Sequence, residues 1–121
     1  MDWLNMDAAD ADERLDRAFM ALADPVRRRI VARLSRGSAT VNELAEPFDI
    51  TVQAVSKHIR VLESAGLVTR SRDAQRRPVH LDAAALETLT EWIDRYRLIH
   101  EQRYRRLDAL LVATDPKESS P

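Results

Sequence analysis

Between Thr51 and Val68 the apolar and polar positions separate at helical spacing. At about 100° per residue, Val55, Ile59 and Leu62 fall on one stripe, while Gln53, Ser56, Lys57 and Arg60 share the opposite side. Thr51 supplies an N-cap oxygen and Gly66 a left-handed terminator, so the spacing predicts a helix of about fourteen residues that stops where Leu67 and Val68 begin a strand. One face suits a core. The other, four hydrogen-bonding side chains of which two are cationic, suits a polyanion.

The flanking pattern frames that helix. Asp24-Pro25 puts a capping carboxylate before a proline at the first helical position, and Val26, Ile30 and Leu34 carry a stripe on toward Gly37. Thr40-Val41-Asn42-Glu43 has the spacing of a capping box and opens a short helix through Leu44 and Ala45 that Pro47 ends. A short helix, a tight connection through Phe48-Asp49-Ile50 and a second helix with a polar outer face form a helix-turn-helix. Beyond Gly66, Leu67–Arg72 and Pro78–Leu81 read as two strands around Asp73–Arg77, a hairpin basic at its tip and placed as a wing.

After Asp82 no Gly or Pro interrupts the chain until Pro116, which predicts one helix from Ala83 to about Ala113. At 1.5 Å per residue such a helix is roughly 46 Å long, more than so small a domain can cover. Leu86, Leu89, Ile93, Tyr96, His100, Arg103, Leu107 and Leu110 recur at alternating spacings of three and four, and Trp92, Ile99 and Leu111 widen the seam. Leu15, Ala18, Phe19 and Leu22 form a second amphipathic stripe near the N-terminus. The expected interface between two copies therefore uses Leu15, Phe19, Leu89, Trp92, Ile93, Tyr96, Ile99 and His100. The fold class that follows is mainly α with a small β-hairpin, a winged helix-turn-helix whose N- and C-terminal helices form a dimer interface. Its expected divisions are an arm over 1–11, the DNA-binding domain over 12–81, the dimerisation helix over 82–113 and a tail over 114–121.

Composition narrows the partners. The 121 residues carry a net charge of −1, which hides a strong division along the chain. Residues 1–24 sum to −5, residues 25–81 to +6 and residues 82–121 to −2. Phosphate neutralisation is local, so the central excess is what matters for a nucleic acid. Arg27, Arg28, Arg29 and Arg33 are expected to form a solvated face with one phosphate contact at most. There is no apolar run of membrane-spanning length and no signal peptide pattern, which predicts a cytoplasmic, nucleoid-associated protein. With no cysteine there is no disulfide or thiolate metal site. His58, His80 and His100 are scattered, whereas zinc wants three or four convergent ligands. No nucleophile–base set, phosphate-cradling glycine loop or paired carboxylates appear, so neither catalysis nor a cofactor is expected.

The motifs resemble the ArsR-type winged-helix repressors of bacteria over about Leu15 to Leu111. The likeness is carried by the run from Phe19 to Ile30 (FMALADPVRRRI), by Asn42-Glu43-Leu44-Ala45, by the run from Val55 to Leu62 (VSKHIRVL) and by Ala65-Gly66-Leu67-Val68. Trp92-Ile93-Asp94-Arg95-Tyr96-Arg97 looks like a subgroup often encoded beside START-like lipid-binding or enzyme-like proteins. Metal sensors of this type carry a cysteine pair in the helix occupied here by Val41–Ala45, or an Asp-x-His element in paired C-terminal helices. Neither is present, so the resemblance implies a homodimeric repressor of double-stranded DNA without the usual metal site, its effector unassigned. On an inverted-repeat operator, Gln53, Ser56 and Arg60 are expected at base edges, Thr51 and Lys57 on phosphates, and Arg76 or Arg77 in the flanking minor groove. His58 either caps the packing or touches a phosphate. The alternative is a winged-helix protein-interaction module that does not read DNA.

Overall fold

The computed structural model describes residues 8–71 and 76–114. In chain order the elements are α1 (Ala8–Ala21), α2 (Pro25–Leu34), α3 (Val41–Ala45), α4 (Val52–Ser64), β1 (Val68–Arg70), β2 (Val79–Leu81) and α5 (Ala83–Thr114). Three of the helix starts are set by the predicted caps. The Asp24 carboxylate accepts from the Arg27 N–H with Pro25 at the first helical position. Thr40 and Glu43 cap each other reciprocally at α3. Thr51 Oγ1 accepts from the Ala54 N–H at 3.1 Å to open α4.

The end of α4 is a Schellman turn. The Leu67 N–H reaches the Leu62 carbonyl and the Gly66 N–H reaches the Glu63 carbonyl, each at 3.0 Å, with Gly66 at φ +77°. Leu62 and Leu67, which this turn brings together, are both fully buried. Because the Leu67 N–H is already used, β1 begins one residue later than the sequence predicts. Pro78, which has no N–H, lies outside β2 and accepts from Ser71 N–H at 2.9 Å instead. The strands pair antiparallel, Val68 with Leu81, Thr69 with His80 and Arg70 with Val79. Ala39 adds a bridge to Val79, donating at 3.1 Å and accepting at 2.8 Å, so the hairpin is tied to the segment just before α3. No sequence pattern marks a single bridging residue.

The chain divides into two compact units, the second beginning at Thr88. In the first, Ile30 and Leu34 of α2, Leu44 and Ala45 of α3, Val55, Ile59 and Leu62 of α4, and Leu67, Val68 and Val79 around the hairpin make one buried core. At roughly 1.5–3 kcal/mol per fully buried large aliphatic side chain, this core is the main force holding the helix-turn-helix together. The second unit is the remainder of α5, and Asp82 caps that helix through the Ala85 N–H at 3.2 Å. Helix α1 starts at Ala8, inside the stretch read as an arm; residues 1–7 and the tail beyond Thr114 lie outside the described residues.

Candidate nucleic-acid interface

Burial of the apolar stripe of α4 fixes what the opposite side presents. With Val55, Ile59 and Leu62 at zero exposure, Gln53, Lys57 and Arg60 are exposed and Ser56 is half-buried beside them. Thr51 is exposed at the helix start, and because its oxygen serves the cap as acceptor, its O–H is left to donate. The four stripe residues therefore share one side of α4, with Thr51 exposed at its start.

His58 is turned elsewhere. It lies about 150° round the helix from the centre of that stripe. Its half-buried ring places Nδ1 3.2 Å from Arg27 Nη1 and 3.8 Å from Asp24 Oδ2. Of its two predicted roles, the geometry matches the packing one. The Arg27 backbone N–H holds the Asp24 carboxyl below the usual carboxylate range; burial, the next largest effect, opposes it, and the His58 and Arg27 charges add to the lowering. Glu43 is likewise lowered, by the Thr40 N–H and hydroxyl.

The arginines of α2 form the expected solvated face in part, Arg28 and Arg29 being exposed and Arg27 and Arg33 half-buried, but all four have partners. Arg27 Nε donates to the Ala21 carbonyl at 2.6 Å and Nη2 to Met20 at 3.3 Å, while Arg28 donates to Leu22 at 2.9 Å. The last carbonyls of α1 lack helical partners, and a cation there also offsets the helix dipole. Arg33 donates to the Gly37 carbonyl at 3.0 Å and approaches Glu43 at 3.9 Å, and Arg29 lies over the Phe48 ring at 4.7 Å. Arg29 and Arg33 thus bear on α3 and the turn after it, and Arg27 and Arg28 on the end of α1.

Beside the α4 stripe, a polar cup of about 490 Å³ opens toward the hairpin, lined by Ser56, Arg60, Glu63, Arg70 and Arg77. Arg77 and Arg76 are exposed, and Arg77 has φ +41°, a left-handed backbone held without glycine. Asp73, Ala74 and Gln75 at the wing tip lie outside the described residues. Sequence reading missed Arg70 and Glu63. The signal was the two-residue alternation of β1, which puts Arg70 on the same side as buried Val68 with Thr69 facing out.

On α5, Trp92, Ile93, Tyr96 and Ile99 are 38–54% exposed, as are Tyr104, Leu107, Leu110 and Leu111 further on at 51–63%. His100 is exposed and meets Tyr104 edge-on at 4.6 Å; Trp92 and Tyr96 stack at a tilt, 4.8 Å apart. Leu89 is buried, and on α1 Leu15 and Phe19 are half-buried. Among the described residues no group of three or more His, Cys, Asp or Glu is arranged to hold a metal, and no helix is long and apolar enough to cross a membrane.

Residues 22–71 match a family described as a helix-turn-helix domain. An HTH-type transcriptional regulator of Mycobacterium tuberculosis is 43% identical over 81 residues, covering 67% of this chain and 76% of the relative. A transcriptional repressor of Bacillus subtilis is 29% identical over 79 residues, 65% of this chain and 88% of its own. A crystal structure of an ArsR family transcriptional regulator, 36% identical, superposes with a TM-score of 0.67 over 73% of this chain and 97% of that one. With the buried helix-turn-helix core, the paired hairpin and these likenesses together, the chain belongs to the ArsR family of winged helix-turn-helix transcriptional regulators.

Proposed function

We propose that this regulator is a homodimeric, sequence-specific DNA-binding repressor that acts from the cytoplasm without the metal response of cysteine-bearing relatives. The observation that carries the reading is α4 itself, whose apolar stripe is fully buried while Gln53, Ser56, Lys57 and Arg60 are left facing outward. Gln and Arg pair bidentately with adenine and guanine edges and Ser bonds to either base, while Thr51 and Lys57 hold phosphates. The exposed aromatic and aliphatic seam of α5 supports pairing with a second copy, and the repressor likeness supports the direction of control. The assigned divisions are residues 12–81 for DNA and 82–113 for dimerisation, with Arg76 and Arg77 at the flanking minor groove. Two such helices one turn of duplex apart would read an inverted repeat with half-sites centred about ten base pairs apart.

In vitro selection from a randomised duplex pool tests this. The expected product is an imperfect inverted repeat, bound with an affinity that falls steeply from 50 to 200 mM salt. Stoichiometric zinc is expected to change that affinity by less than about twofold, since structural or sensing zinc needs convergent ligands. No enrichment, together with no duplex binding at 50 mM salt, would overturn the reading in favour of a protein-interaction module.

A further inference from the structure

Arg70 Nε is the one buried side-chain nitrogen or oxygen without a hydrogen-bond partner among the described residues. Its nearest carboxylate oxygen, Glu63 Oε1, is 3.9 Å away, close enough for attraction and too far for a hydrogen bond. A half-buried guanidinium carries a charge that cannot be removed by deprotonation, so an unmet donor there persists at every working pH. It lines the cup between α4 and the hairpin, where three guanidiniums, those of Arg60, Arg70 and Arg77, face one carboxylate, Glu63, and one hydroxyl, Ser56. The cup has room for a group larger than water, is strongly cationic, and adjoins the stripe assigned to base reading.

We infer that this cup seats one backbone phosphate of the bound duplex, with Arg70 as its anchor and Glu63 as the carboxylate that the phosphate displaces. The inference rests on the DNA-binding reading and adds two residues and a mechanism to it. Phosphate oxygens accept paired N–H bonds from the flat guanidinium fork, which neither a hydroxyl nor a distant carboxylate supplies. Glu63 holds Arg70 loosely in the free protein and opposes the anion, so the cup is charge-balanced in part until DNA arrives. A phosphate seated between α4 and β1 also fixes how far the recognition helix can slide along the groove, which is a positioning role independent of sequence.

The experiment compares unmodified protein with Arg70→Ala, Arg70→Lys, Glu63→Gln and Glu46→Gln on a 30-base-pair duplex of random sequence across a salt series, with melting temperatures recorded for each. Glu46 is exposed and outside the cup, so its variant controls for the charge change alone. Arg70→Ala is expected to bind on the order of tenfold more weakly, with a salt slope shallower by about one. Arg70→Lys should recover the slope and only part of the affinity, because a point charge lacks the fork. Glu63→Gln should bind more tightly than Glu46→Gln, even if it melts lower. An Arg70→Ala protein that melts cooperatively and binds with unchanged affinity and slope would overturn the inference, as would Glu63→Gln and Glu46→Gln binding alike. Failure of the unmodified protein to bind duplex at all would instead remove the DNA-binding reading.

Discussion

Arg27 donates through Nη1 to His58 Nδ1 over 3.2 Å, joining the first turn of α2 to the middle of the recognition helix. The same arginine reaches back to the carbonyls of Met20 and Ala21, so one guanidinium ties three helices. Arg27 has only donors, so in this contact the ring nitrogen is the accepting side. His58→Ala is expected to lower stability by about 1.5–3 kcal/mol, the usual worth of a hydrogen bond to a charged group. Its ratio of selected to random duplex affinity should stay within about twofold. A collapse of that ratio with an unchanged melting temperature would return His58 to the DNA surface.

On the proposed reading, base reading and phosphate holding separate by residue within the outward stripe. Gln53→Ala and Arg60→Ala should each cost on the order of 1–3 kcal/mol on the selected site and much less on random duplex. Lys57→Ala should weaken both duplexes alike and make the salt slope shallower by about one. The reverse pattern in the same titrations would exchange the two roles.

Asp24 links stability to pH. Its carboxyl is held below the ordinary value by the Arg27 N–H and the charges of His58 and Arg27, so the ionised form is the one the fold prefers. Such a group contributes its full stability above the unfolded-state value and loses it as pH falls through the lower folded value. Asp24→Ala should cost about 1 kcal/mol at neutral pH, as expected for losing an N-cap. Urea titrations should show that gap constant from pH 7 to 5 and narrowing below about pH 4, where the carboxyl of the unfolded chain takes up its proton before that of the native state. A gap that widens with acid would contradict the cause given for the shift.

Arg77 keeps a left-handed backbone without glycine. That conformation costs an L-residue roughly 1–2 kcal/mol, partly offset by the entropy that glycine would lose on folding. Arg77→Gly should therefore melt no lower than the unmodified protein while binding duplex more weakly, since the guanidinium leaves the cup. Arg77→Val should melt lower, because a β-branched side chain fits that region worst. Equal melting of the two variants would show that the backbone relaxes freely there.

Dimerisation is tested on α5. Ile93 and Tyr96 are about half exposed, and replacing both with Asp should give a monomer by light scattering and remove binding to the inverted repeat. A stable monomer of the unmodified protein at micromolar concentration would exclude the assigned seam.

The caps made most of this fold legible. Asp24-Pro25, Thr40 with Glu43, and Thr51 with Gly66 are local chemistry, and each acts where the sequence places it. The outward stripe of α4 was equally readable, since three apolar residues at helical spacing dictate the side left over. What stayed hidden depends on long-range geometry. The inward turn of His58 needs Arg27, which is 31 residues away in sequence, and the use of Arg27 and Arg28 as caps for α1 needs the angle between two helices. A run of four arginines looks like a solvated face until the carbonyls at the end of α1 are found within reach of two of them. Arg70 was missed because a three-residue strand offers too little alternation to stand out.

The Schellman turn leaves no slack between the recognition helix and the wing. Leu62 and Leu67, clasped at 3.0 Å around Gly66, make the last turn of α4 and the start of the hairpin one mechanical piece. On the proposed reading, altering which bases are read thus need not disturb which backbone position is gripped. Gln53, Ser56 and Arg60 can be exchanged as a set on a frame whose pitch is held by Leu62, Gly66 and Leu67. A single residue inserted between Ser64 and Leu67 would swing the hairpin by about 100° about the helix axis and break that phase. If α4 reads bases as proposed, the two-leucine clasp is a ruler for groove spacing, and retargeted regulators built on this scaffold would inherit its graduation.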